Sequence, residues 1–159
     1  MTGPAAAFAL LAALPGRAQE VVFLVRHAEK ADGSKDTALS AAGLARARAL
    51  ADKLRDAGVT AIYTSEYTRT KQTAQPLGDA LKLTPRAHPA ADRAGLVALL
   101  RREHPHDRLL VVGHSNSVPE IIAAFGVREK IAIAEDEFDD LFVLVPHASG
   151  PPMLLHLHQ

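Results

Sequence analysis

The chain has 159 residues, with 18 Lys plus Arg balanced by 18 Asp plus Glu and 48% hydrophobic residues, a size and composition suited to one globular domain. A formal charge of zero leaves no excess of basic residues for a polyanion, so no nucleic-acid partner is expected. The absence of cysteine excludes disulfides, thiolate metal sites and cysteine nucleophiles.

Ala5 to Leu14 is an unbroken run of Ala, Phe and Leu. It is shorter than the roughly twenty residues a membrane-spanning helix needs, so no membrane partner is expected. It matches the apolar region of a secretory signal, and Gly16 and Ala18 supply the small-x-small cleavage pattern. No Lys or Arg precedes the run. The expectation is a signal over residues 1–18, a domain over 19–159, and export to the periplasm or beyond. A packed N-terminal helix in a cytoplasmic protein is the alternative.

Val21 to Arg26 (VVFLVR) is a continuous β-branched run of the kind found in strands buried on both faces. Residues 28–39 are polar and read as a surface loop. Ser40 then opens a helix as N-cap, with Leu44, Ala47, Leu50, Ala51, Leu54 and Ala57 as its apolar stripe and Gly58 as its C-cap. Thr60 to Thr64 reads as a short strand, and Glu66 to about Leu81 as a helix kinked or divided by Pro76. A weak strand is expected around Thr84 to His88. Asp92 caps a helix carrying Leu96, Leu99 and Leu100 that ends before Pro105. Arg108 to Val112 (RLLVV) is a second buried strand, followed by a helix near Pro119 to Phe125 and strands at Leu141 to Val145 and Met153 to Leu157. Strands alternating with helices predict an α/β three-layer sandwich, with a mainly parallel central sheet and helices on both faces.

Arg26-His27 and Gly113-His114 each follow directly on a buried strand. Ligands of open α/β sheets bind beyond the carboxyl ends of the strands, so the two histidines can face one crevice. Arg26 adds a cation there, and Arg69, at the start of the helix after Thr60–Thr64, reaches the same rim. Two imidazoles and two guanidiniums suit a phosphoryl group. Guanidinium forks match its oxygens, and a neutral imidazole is a competent nucleophile toward phosphorus. Cations beside the imidazoles should depress their pKa.

Several segments then resemble a known family. Val25-Arg-His-Ala-Glu-Lys30 resembles the Arg-His-Gly signature of the histidine phosphatases, a superfamily that includes cofactor-dependent phosphoglycerate mutases. Leu39-Ser-Ala-Ala-Gly43, Tyr63-Thr-Ser65 through Arg69 to Gln72-Thr-Ala74, and Val111-Val-Gly-His-Ser-Asn116 resemble its three other segments, in the family's order. The resemblance implies His27 as nucleophile, Arg26 and Arg69 as phosphate ligands, and His114 as a second pocket histidine donating to phosphoryl oxygens. It implies no metal and no cofactor, and a small phosphorylated substrate. Ala28 replaces the signature glycine, and the long insertions of the mutases are absent.

The expected activity is therefore hydrolysis of phosphate monoesters or phosphohistidine through a phosphohistidine on His27. The alternatives are a mutase-type phosphotransferase and a catalytically silent phospho-ligand module. For the leaving-group acid, Asp92 is the first candidate and the acidic run at Glu135 and Asp136 the second. His104 and His106 look incidental, and His156 and His158 share one face of the last strand at a spacing that gives only a weak metal hint.

Overall fold

A computed structural model describes residues 21–147 and 150–159. The expected signal over residues 1–18 lies outside the described residues. The elements run β1 (Val21–Arg26), α1 (Ala41–Leu54), β2 (Ala61–Thr64), α2 (Thr68–Leu81), β3 (Arg86–Ala87), α3 (Arg93–Glu103), β4 (Arg108–Gly113), α4 (Ser117–Ala124), β5 (Asp140–Val145) and β6 (Met153–His158). The sheet order is β3-β2-β4-β1-β5-β6. Parallel pairing joins β3, β2, β4 and β1, while β5 and β6 extend the sheet antiparallel.

The two apolar runs at Val21 and Leu109 form the centre because residues from both faces are buried. Val22, Leu24, Leu109 and Val111 pack with Leu96, Leu100 and Ile122 of α3 and α4. Val25, Leu110 and Val112 pack with Leu50, Leu54, Ala74 and Leu77 of α1 and α2 on the opposite face. This is the three-layer sandwich expected from the alternation of strands and helices.

Several local expectations change. In α1, Ser40 caps as expected, its Oγ accepting from Gly43 N at 3.1 Å. Leu44, however, is 39% exposed and is no part of the core face. The helix turns inward on Gly43, where any Cβ would collide with the backbone of Glu29. That places Leu44 outward and Ala47, Leu50 and Leu54 inward. The helix ends at Leu54 with Arg55 as C-cap, so Ala57 and the left-handed Gly58 (φ 75°) belong to the following turn.

The second helix starts at Thr68, two residues later than expected, and Pro76 sits inside it without dividing it. Proline removes one i to i−4 bond, but Thr73, Ala74, Leu77 and Gly78 are buried around it and hold the helix by packing. Its left-handed terminus falls on a non-glycine residue, Lys82 (φ 56°). The weak third strand shrinks to Arg86–Ala87.

Candidate active site

The strand register brings the histidines together. Arg26 lies opposite Gly113 in the parallel β1–β4 pair, and His27 N donates to Gly113 O at 2.9 Å. One residue beyond this pairing, the rings of His27 and His114 meet edge to face with centroids 5.3 Å apart. Gly113 permits the turn, since a Cβ there would press on Ser117 Oγ and Val118. In that turn His114 N donates to Ser117 Oγ at 2.9 Å.

His27 is buried, and its Nδ1 lies 2.8 Å from the carbonyl of Ala28. A carbonyl only accepts, so Nδ1 carries the proton and Nε2 keeps its lone pair. Burial first, and then the charges of Arg69 and Arg26, lower the His27 pKa to about 4. The ring is therefore held in its neutral form at neutral pH. The same causes, burial and then Arg69, lower His114 to about 4.

Ser65 Oγ lies 2.9 Å from His114 Nε2, and Arg69 Nη2 lies 3.4 Å from its Nδ1. The Ser65 hydroxyl can donate or accept. His114 Nδ1 can therefore accept from Arg69 in one tautomer, or carry a proton toward a phosphoryl oxygen in the other.

The two arginines are held differently. Arg69 Nη1 donates to Lys35 O at 2.9 Å, and its guanidinium lies 4.4 Å over the Tyr67 ring. Thr73 ties this helix to the segment after β1, accepting from Ala28 N at 3.0 Å and donating to Arg69 O at 2.8 Å. Asp36, in the polar loop after β1, caps the same helix by accepting from Thr68 N at 2.7 Å.

Arg26 is buried, and burial lowers its pKa from the ordinary guanidinium value. Its Nη1 donates to the carbonyls of Ala134 and Glu137 at 2.8 and 2.9 Å, and Phe138 covers its face at 4.2 Å. The acidic run around Glu135 and Asp136 thus wraps Arg26 with its backbone. Among the described residues, Nε of Arg26 and Nε of Arg69 are buried donors without a hydrogen-bond partner.

These groups line a cleft of about 500 Å³ that also takes in Lys30, Arg93, Asn116 and Glu135. Five cationic or imidazole side chains besides Arg26 and one carboxylate give it the character of an anion site. That carboxylate is not Asp92. Asp92 caps α3, accepting from Gly95 N at 2.9 Å, and it faces His88 outside this lining. Glu135 lies inside, with Oε2 3.3 Å from Arg26 Nη2 and Oε1 accepting from Ser115 Oγ at 3.1 Å. Asp136 is likewise absent from the lining.

All four predicted site residues thus converge. Sequence reasoning gave no role to Ser65, Tyr67, Thr73 or Phe138. The first three fall within or beside the segment from Ser65 to Ala74, where the resemblance marked them only as part of a pattern.

Residues 22–92 match the model of the histidine phosphatase superfamily, branch 1. The matched segment carries three of the four family-like motifs and stops short of His114. A probable phosphoglycerate mutase GpmB of Yersinia enterocolitica is 41% identical over 69 residues, covering 39% of this chain and 32% of that protein. The Yersinia pestis counterpart is 37% identical over 70 residues, covering 40% and 33%. The alignment thus spans about a third of the curated relatives' length.

Solved structures align across both halves. The protein histidine phosphatase SixA complexed with tungstate superposes with TM-score 0.70 at 21% identity, covering 87% of this chain and 96% of its own. A mycobacterial glucosyl-3-phosphoglycerate phosphatase gives 0.69 at 18%, covering 84% and 96%. These likenesses show a shared fold over most of the chain.

Proposed function

We propose that this histidine phosphatase superfamily chain hydrolyses a small phosphorylated substrate, a phosphate monoester or phosphohistidine, through a phosphohistidine on His27. The observation that carries the reading is the His27 ring, whose Nδ1 is committed to Ala28 O while Nε2 remains a base-form nucleophile between two arginines. In the first step an Nε2–phosphorus bond forms as the bond to the leaving group breaks. In the second, a water oxygen attacks phosphorus, the Nε2–phosphorus bond breaks, and phosphate is released. Arg26, Arg69 and His114 offset charge on the three equatorial oxygens. The Ala28 carbonyl supports the positive charge that the ring acquires when phosphorylated.

Glu135 supplies the leaving-group proton in this reading. A phosphate dianion competes with it for Arg26, which frees the carboxyl group to turn toward the leaving group. Arginines occupy the positions where a metal would offset charge, so activity persists through exhaustive chelation. The apolar run at Ala5–Leu14 supports export of the protein.

Mutase-type phosphotransfer is the second reading, favoured by the names of the Yersinia relatives. The cleft is open to solvent, which gives water access to the phosphoenzyme and favours hydrolysis.

Brief reaction with a labelled phosphate ester tests the reading. The expected result is acid-labile, base-stable label on the protein, lost in His27→Ala together with turnover by a factor on the order of 10⁴ or more. Undiminished turnover in His27→Ala overturns it. Transfer of label to a second phosphoglycerate instead of water selects the mutase reading.

A further inference from the structure

We propose that the paired ends of β5 and β6 form a binding site for a borderline divalent transition metal such as Zn²⁺, built from Asp140, His156 and His158 with Asp139 at its mouth. Antiparallel register sets Asp140 opposite His158 and Phe142 opposite His156, so both imidazoles stand on the face that carries the Asp140 carboxylate. One ligand atom from each of Asp140, His156 and His158 falls within 4.8 Å of the others. Phe142 stacks on His156 with centroids 4.5 Å apart.

The Asp140 carboxylate is the anchor. Its side chain is only 5% exposed, yet among the described residues its ion-pair partners are His156 and His158 alone, with no Lys or Arg. A buried carboxylate needs a cation or several donors. His156 Nε2 gives one contact at 2.6 Å, while His158 Nδ1 stands off at 3.8 Å and lies 3.5 Å from Asp139 Oδ2.

Zinc bonds of about 2.0–2.2 Å in a tetrahedron put neighbouring ligand atoms roughly 3.4 Å apart. The separations of His158 Nδ1 from Asp139 and Asp140, 3.5 and 3.8 Å, already lie near that value, while that of His156 from Asp140 is shorter. The short one opens by rotation of His156, which is half exposed and free to move toward solvent. Two imidazoles with carboxylates select Zn²⁺, Co²⁺, Ni²⁺ or Cu²⁺ over Mg²⁺ and Ca²⁺, which take oxygen ligands.

The site is separate from the phosphate cleft, whose lining includes none of these residues. Its effect would be structural. The last strand leaves Met153, Leu155 and Leu157 on its other face 46%, 44% and 47% exposed, so an ion bridging β6 to the buried Asp140 would fasten an edge held on one side only.

Calorimetric titration of the full chain with ZnCl₂ in phosphate-free buffer tests this, alongside thermal unfolding with and without the ion. The expected result is one equivalent bound, with the midpoint raised by about 5–10 °C at a hundredfold excess over Kd, and no response to MgCl₂. His156→Ala and the exposed-site variant His158→Ala should each weaken binding at least tenfold, while His106→Ala leaves it unchanged. No binding, or binding undiminished in both His156 and His158 variants, overturns the proposal. Binding lost in His27→Ala but kept in His158→Ala puts the ion in the phosphate cleft and overturns it equally.

Discussion

The floor of the cleft and its outer wall reach the same substrate position by different means. His27 and His114 sit at the ends of two paired central strands, one residue past a hydrogen-bonded register. Glu135, Lys30 and Arg93 come from loops and a helix start, and the side chain of Glu135 is 85% exposed. Moving a floor residue means breaking sheet pairing or core packing, whereas a wall residue needs only a side-chain rotation. In the proposed reaction the floor would therefore fix the geometry of phosphoryl transfer, and the wall would be left with substrate preference and proton delivery.

The sharpest way to break this comparison is to remove a cation that touches a floor histidine, as Arg69 does His114, and one that lies on the wall alone. Arg69→Ala should lower kcat/KM by about 10²–10³-fold, the usual loss for one oxyanion-stabilising group. Arg93→Ala, on the wall, should change it less than about tenfold, mostly in KM. Steady-state kinetics on one phosphate ester measures both. Equal losses would mean that Arg93 also holds the transferring phosphoryl group.

A smaller effect separates the two candidate acids. Glu135→Gln should slow alkyl phosphates by about a hundredfold and leave p-nitrophenyl phosphate almost unchanged, because only the alkoxide needs a proton as it departs. Asp92→Asn should change neither rate and cost about 1 kcal/mol or less of stability, as loss of a helix cap does. If Glu135→Gln slows neither ester, Glu135 is not the proton donor.

The floor was legible in the sequence and the wall was not, for a physical reason. VVFLVR and RLLVV are unbroken apolar runs ending in Arg-His and Gly-His, so both strand ends are visible locally, and the α/β rule supplies their neighbourhood. The hold on Arg26 comes from the carbonyls of Ala134 and Glu137, more than a hundred residues away, and a carbonyl leaves no mark on residue type. Asp36 caps a helix that begins 32 residues later, where a local search for caps finds only Tyr67. Asp92 misled in the opposite sense. Its place before the Leu96–Leu100 run reads correctly as a helix cap, and the capping bond from Gly95 N engages the carboxylate proposed for the cleft.

The last and smallest expected effect concerns pH and again sets floor against wall. His27 and His114 both have folded-state pKa values near 4, against about 6.5 when unfolded. Between these values the unfolded chain binds more protons than the folded one, so stability falls as pH drops from about 6.5 toward 4. Discounted for solvent screening, each histidine should account for on the order of 1 kcal/mol of that loss by pH 5. His27→Asn removes the group from both states, so its unfolding free energy should decline less steeply over this window than that of the unaltered chain. His106→Ala, an exposed histidine elsewhere, should decline in parallel with the unaltered chain. Denaturant unfolding at pH 7, 6 and 5 gives the slopes, and comparing slopes cancels any change in stability that the substitution causes at neutral pH. A His27→Asn slope equal to that of the unaltered chain would mean that the ring titrates in the folded state as it does in the unfolded one, so that burial and the two arginines do not hold it in its base form.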